Sequence, residues 1–333
     1  AGPKNGALTL VTVTLDPLGS VSVTIDSLPQ GQGHLTAIAQ VVAGVLGISP
    51  GDVSVESGFD TRVTGWSIAA GNYSSRFGPA VAGTAYQAAS RLRGRLARLA
   101  SQHLNVAAEH IEFSDGKIFT VDNPENFVPF RRIAGSSHWS PGALPEGLDP
   151  VIRETAIWTP PELAAPDASD HINGSVAYGF IFDFCGVEVD RETYEVRVDH
   201  YVTMHDAGRL INPALVDGQI RGGFAHGLGA ALFERFRYDD GGQFLSGTFA
   251  DYLVPTACEV PDPIILHTES PSPFTPLGTK GVGEGNSMST PVCIANAVAD
   301  ALGVDDIELP LTPDRVAALI GIAGSSFHTT DSQ

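Results

Sequence analysis

The apolar positions near the start of the chain alternate with polar ones at a period of two. Residues 7–15, "ALTLVTVTL", and 20–26, beginning "SVSVTI", are β-rich runs joined by "DPLG", which predicts a hairpin. The period then changes. Leu35, Ile38, Val42, Val45 and Leu46 fit helical spacing over 35–46, after a polar-glycine lead "PQGQGHLT" at 29–36. "GISPGD" stops that helix and "DVSVES" reads as a short strand. The stretch 65–78, "GWSIAAGNYSSRFG", is small and polar and opens a helix running to about residue 103. A small hairpin is expected around "FSDGK".

Residues 122–170 are proline-rich with weak periodicity and read as an extended connector over the surface. Beyond it, "SVAYGFIFDF", "VEVD" and "RETYEVRVDHYVTM" pattern as strands around a turn. A helix is expected over 213–235, with others at about 288–302 and 312–321. The glycines inside "DGQIRGGFAHGLGAALFE" cost roughly 1 kcal/mol each relative to alanine in a helix, so they need a purpose such as close backbone approach. The class is α+β: two mixed α/β subdomains, 1–121 and 171–333, flank the 122–170 connector.

A chain of 333 residues exceeds the usual size of one hydrophobic core, in keeping with two subdomains. Its 38 acidic and 19 basic residues give a net charge of −19, which argues against nucleic acid and anionic lipid as partners. The rather low charged fraction suggests that part of the surface lies against another subunit. No long apolar run and no signal-peptide pattern is present, so membrane insertion is not expected and a cytoplasmic location is. Cysteines at 185, 258 and 293 are too few and scattered for a disulfide framework, a zinc site or an iron–sulfur cluster; they read as buried, reduced thiols.

Three polar-glycine segments precede helices: "GQGHLT", "GNYSSRFG" and "GTKGVGEGN". Glycine permits close approach and positive φ, and a helix start presents unpaired N–H groups to anions. Together they suggest a large phosphate-bearing ligand held by several loops. None is a nucleotide fingerprint: Lys280 precedes Gly281 where a P-loop needs lysine then Ser or Thr, and the dinucleotide pattern is missing. Read singly, each has a bland alternative. Glu284 could be a solvated residue or a cap, and Gln32, Gln219 and Lys280 ordinary surface groups. His205-Asp206 suggests a loop hydrogen bond after a strand rather than a metal site. His34 and His226 stand alone. The arginines at 91, 93, 95 and 98 suggest a solvated or inter-subunit face.

The order of the segments changes the picture. From 29 to 333 the chain resembles the C-terminal half of the molybdenum-binding large subunit of the xanthine dehydrogenase and aldehyde oxidase family. The resemblance rests on "GQGHLT", "SSR" at 74–76, "HDAGRLINPALVDGQIRGG" at 205–223, "GLGAALFE", the "DY.VPTA" pattern at 251–257 and "GTKGVGEGN…NAVADALG". It implies a molybdopterin-binding domain. The pterin's sulfurs hold the molybdenum, so no metal ligand is expected from the protein. The cofactor is expected in a mononucleotide or cytosine dinucleotide form.

By the same resemblance Glu284 matches the general base, ionised at neutral pH as glutamates usually are. Gly31, Gln32 and Gly33 match a pterin or phosphate contact, and Ser74, Ser75 and Arg76 the loop for the phosphate or dinucleotide end. Gln219 and Gly222 match pterin contacts; Lys280, Gly281, Val282 and Gly283 frame the base. Ser74 stands where glycine is usual, Phe77 where a small residue is, and His226 where glutamine is frequent. The implied reaction oxidises an sp² carbon of an N-heterocycle, aldehyde or related small molecule with water-derived oxygen. The alternatives are an aerobic carbon monoxide dehydrogenase-like enzyme or a non-catalytic cofactor scaffold. The implied partners are a second chain bearing the N-terminal half of a split large subunit, an iron–sulfur subunit with [2Fe–2S] clusters and an FAD subunit. A dimer of that heteromer is expected.

Overall fold

In the computed structural model, residues 8–58, 72–160, 164 and 166–327 are described; residues 65–71 of the second polar segment lie outside them. The opening hairpin forms as expected. β1 (Thr9–Leu15) and β2 (Val21–Ile25) pair antiparallel, with Asp16 accepting backbone bonds from Leu18 and Ser20 in the turn. β3 (Val53–Ser57) adds parallel to β2, and a later strand, β7 (Arg153–Trp158), completes a sheet of order β3-β2-β1-β7. Val11, Val13, Val23 and Ile25 are buried against α1 (His34–Leu46) and α2 (Gly83–Leu104), whose Ile38, Val42, Leu92 and Leu96 complete a core. A wide π-type turn, Phe77–Ala82, leads into α2. β4 (Ile111–Ser114) and β5 (Lys117–Thr120) form the expected second hairpin.

Residues 122–170 differ from an extended connector. They contain β6 (Asn123–Pro129), which continues the β4-β5 sheet, α3 (Phe130–Trp139), and β7 (Arg153–Trp158), which pairs along most of β1. β7 gives little hydrophobic signal because it is an edge strand and only its Ala156 is fully buried. The arginines of α2 hold it in place. Arg91 donates to the Thr155 carbonyl at 2.8 Å, Arg95 pairs with Glu154 at 3.2 Å, and Arg98 reaches the Glu146 carbonyl at 3.4 Å. Arg93 turns the other way, to the Val45 carbonyl and Glu112. Arg91 and Arg98 stay exposed to solvent as expected, and at the same time these side chains clamp the chain to α2.

The chain divides into two units: residues 1–178, 208–212 and 269–281, and residues 179–207, 213–268 and 282–333. In the second unit, β8 (Phe180–Val189) and β9 (Val196–Asp206) pair antiparallel, and β10 (Ile264–Thr268) adds parallel to β9. α4 (Pro213–Leu232) and α5 (Gly285–Leu302) pack together, and α6 (Pro313–Phe327) closes the unit. Phe224, Leu228, Ile294 and Val298 form its core with Tyr201. Cys185 and Cys293 are half-buried beside that core, but Cys258 is exposed, contrary to three buried thiols.

Candidate functional site

The first unit brings together loops that lie far apart in sequence. Gly33 caps α1 in a left-handed conformation, and His34, the first helical residue, stacks on Phe77 with ring centroids 3.6 Å apart and planes 4° apart. The glycine loop before α1 therefore meets the serine–arginine loop. There Ser74 and Ser75 both adopt left-handed conformations, with φ of 55° and 47°. Such backbone costs about 1–2 kcal/mol per residue outside glycine, and strain of this kind clusters at functional sites. Arg76 is fully buried beneath them and donates to the Leu8 carbonyl at 3.2 Å. The third loop joins here. A Cβ on Gly281 would lie 2.5 Å from that of Ser75, so only glycine lets the Lys280–Gly281 backbone pass. Lys280 donates to Ser270 at 2.7 Å, and Gln32 folds back to accept from the Gln30 N–H at 2.5 Å.

Burial holds the His34 pKa down to about 4. Its imidazole is neutral at pH 7, and between pH 6.5 and 4 the unfolded chain binds a proton that the folded chain refuses. That contribution to stability is complete above pH 6.5 and is lost as pH falls through 4, up to about 3 kcal/mol. NMR titration of the His34 ring should show a midpoint near 4, and urea unfolding of His34→Phe should lose this part of the acid sensitivity.

In the second unit Glu284 is the exposed N-cap residue of α5, with no side-chain capping bond of its own. Its backbone carbonyl accepts from Ser287 at 2.8 Å. The helix start is pinned from below. Asn286, 1% exposed, donates to Thr203 Oγ1 at 3.2 Å, and Thr203 shares a 2.9 Å bond with His205 Nε2. His205 is thus a buried strand residue in β9, not a loop histidine, and desolvation lowers its pKa. Sequence reading missed this network; the asparagine after the glutamate in "GEGN" was its visible trace. Gln219 on α4 is half-buried and Gly222 exposed, with nothing within 4 Å of a Cβ built on Gly222. Gly223 and Gly227 instead face Asn286, so their bare backbone serves packing of α4 on α5. Val282 and Gly283 are half-buried in the lead to Glu284.

A cleft of about 560 Å³ opens in the first unit between α1 and α2, lined by Gln40, Tyr86, Arg93 and Arg209 among others; none of the candidate residues lines it. Among the described residues, no three His, Cys, Asp or Glu side chains cluster to hold a metal, and no helix is long and apolar enough to cross a membrane.

The model of a molybdopterin cofactor-binding domain matches residues 2–261. The chain belongs to that family. It is 35% identical to the nicotine 6-hydroxylase large subunit of Paenarthrobacter nicotinovorans, over 92% of this chain and 36% of the relative. It is 31% identical to the carbon monoxide dehydrogenase large chain of Afipia carboxidovorans, over 90% of this chain and 35% of the relative. The crystal structure of quinoline 2-oxidoreductase from Pseudomonas putida 86 superposes with a TM-score of 0.81 at 36% identity, covering 94% of this chain and 38% of that one. The α+β class expected from the pattern is the class of this molybdopterin-binding fold. The chain spans little more than a third of the length of the relatives it matches.

The residues present fit such a cofactor. Paired left-handed serines beside a glycine backbone suit a phosphate, and a carboxylate at a helix start over a fixed polar network suits a base.

Proposed function

We propose that this chain is the cofactor-binding part of a molybdenum hydroxylase large subunit of the xanthine dehydrogenase family. The reaction is oxidation of an sp² carbon of an N-heterocycle, aldehyde or related small molecule. The observation that carries the reading is the meeting of the serine–arginine loop with the Lys280–Gly281 loop, two segments some two hundred residues apart in a chain of this family. When bound, the molybdenum–molybdopterin cofactor would supply the redox chemistry, accepting the electron pair as oxygen from water is added to the carbon. The chain's residues bind and orient. Ser74 and Ser75 present backbone N–H groups to the phosphate end, mononucleotide or dinucleotide, and buried Arg76 holds that loop rigid from below. Gly31, Gln32 and Gly33 contact the pterin or phosphate, as do Gln219 and Gly222, while Lys280 to Gly283 frame Glu284. The Glu284 carboxylate accepts a proton at its oxygen during the reaction.

The remaining large-subunit sequence, an iron–sulfur subunit and an FAD subunit complete the enzyme in this reading, with a dimer of the heteromer as the assembly. Metal analysis of the native assembled protein should find close to one molybdenum per chain, and chromatography of the released pterin should identify its nucleotide tail. Protein purified intact without molybdenum or pterin would overturn the proposal.

A further inference from the structure

The three-stranded sheet of the second unit has two unlike faces. On one, Cys185, Val187 and Val189 of β8 point into the core beside α5. On the other, alternate residues of the same strand stand in solvent: Phe180, Phe182 and Phe184 are 65%, 58% and 61% exposed. The register extends this face across the sheet. Phe182 lies opposite Met204, which lies opposite Leu266; Phe184 and Ile264 flank Val202 in the next row. Met204, Leu266 and Ile264 are themselves 40%, 48% and 54% exposed. Phe182 and Phe184 meet edge-to-face at 4.9 Å. At about 200 Å² per ring, the three phenylalanines alone leave roughly 350 Å² of apolar surface in water. The aliphatic side chains bring the patch to the upper end of the largest patch a monomer ordinarily exposes, a size that often marks an interaction site. Along the strands the same face turns polar, at the Glu188–Arg197 ion pair. An apolar centre bounded by charge is the anatomy of a protein–protein interface.

We propose that this face is covered by large-subunit polypeptide lying outside residues 1–333. The inference rests on the family reading only in taking the chain as part of such a subunit. Relatives that share its fold carry well over half their length beyond the matched part: it covers 36% of the nicotine 6-hydroxylase subunit and 38% of the quinoline 2-oxidoreductase chain. In those relatives the unmatched length belongs to the same subunit and is therefore present at one-to-one stoichiometry with the matched part. Two other occupants are disfavoured by charge. A second copy would bring another −19 to the contact, and an anionic membrane surface would be repelled by the same charge.

The test places the photo-cross-linker p-benzoylphenylalanine at Phe182 in the native assembled enzyme. An aromatic replacement at an exposed position leaves the core intact. Irradiation and peptide mass spectrometry should find the main cross-link in large-subunit sequence outside residues 1–333. A main cross-link to a second copy of this chain, to an iron–sulfur or flavin subunit, or to none, would overturn the proposal. Hydroxyl-radical labelling of the unmodified enzyme gives a second reading. Phe180, Phe182, Phe184 and Met204 should be strongly protected relative to the urea-unfolded chain, and labelling in proportion to the exposures above would sink the idea. Molybdenum content measured on the same samples reports on the cofactor reading separately, since a loaded enzyme with an unprotected face loses only the interface.

Discussion

Glu284→Gln is expected to lower turnover of the assembled enzyme by roughly 10²–10⁴-fold while molybdenum and pterin stay bound, the usual consequence of removing a general base. The substitution isolates proton acceptance because it preserves shape. The side chain makes no capping bond to its own helix, so α5 should start at the same residue; the Ser287 bond goes to the backbone carbonyl, which the change leaves in place. Asn286, Thr203 and His205 below keep their contacts. Urea unfolding of the variant separates any change in stability from the loss of proton acceptance. Undiminished turnover with full cofactor would remove the base assignment and favour a chain that only holds the cofactor. A fall in molybdenum content matching the fall in rate would instead assign Glu284 to binding.

The second large effect is on folding. A Cβ on Gly227 would lie 2.7 Å from the Asn286 carbonyl oxygen and from Thr290 Cβ, and 3.1 Å from Pro291 Cδ. Backbone and a proline ring cannot rotate away as a long side chain can. Gly227→Val should cost about 3 kcal/mol, the upper range for overfilling a packed contact. On the same helix, Gly218 has nothing within 4 Å of a built Cβ. Gly218→Ala should stabilise by roughly 0.5–1 kcal/mol through helix propensity and loss of freedom in the unfolded chain. Urea unfolding of both variants checks the opposite signs. Equal effects would show that helix propensity, and not the fit of α4 on α5, governs these glycines.

That contrast shows what a linear reading can carry. Strong periodicity was legible: the first hairpin, α1, α2 and α5 arise where spacing of apolar residues puts one face toward a core. β7 and β10 were not, because neither presents a regular buried stripe; β7 shows a single fully buried residue and β10 none. The α2 arginines looked like a solvated face because helical spacing records which side a residue faces but not what lies there. In the structure Arg91, Arg95 and Arg98 meet the carbonyls and carboxylate of residues 146–155, and Arg93 meets the Val45 carbonyl and Glu112.

The site divides along the same line. Order and identity of the glycine segments were enough to read the family, because both are written directly in the sequence. Their purpose was not separable there. Gly281 is bare so that one loop can pass Ser75, whereas Gly223 and Gly227 are bare so that two helices can close. The letter is the same in each case. Which neighbour occupies the space a side chain would need depends on residues up to two hundred positions away, and only the folded chain supplies them.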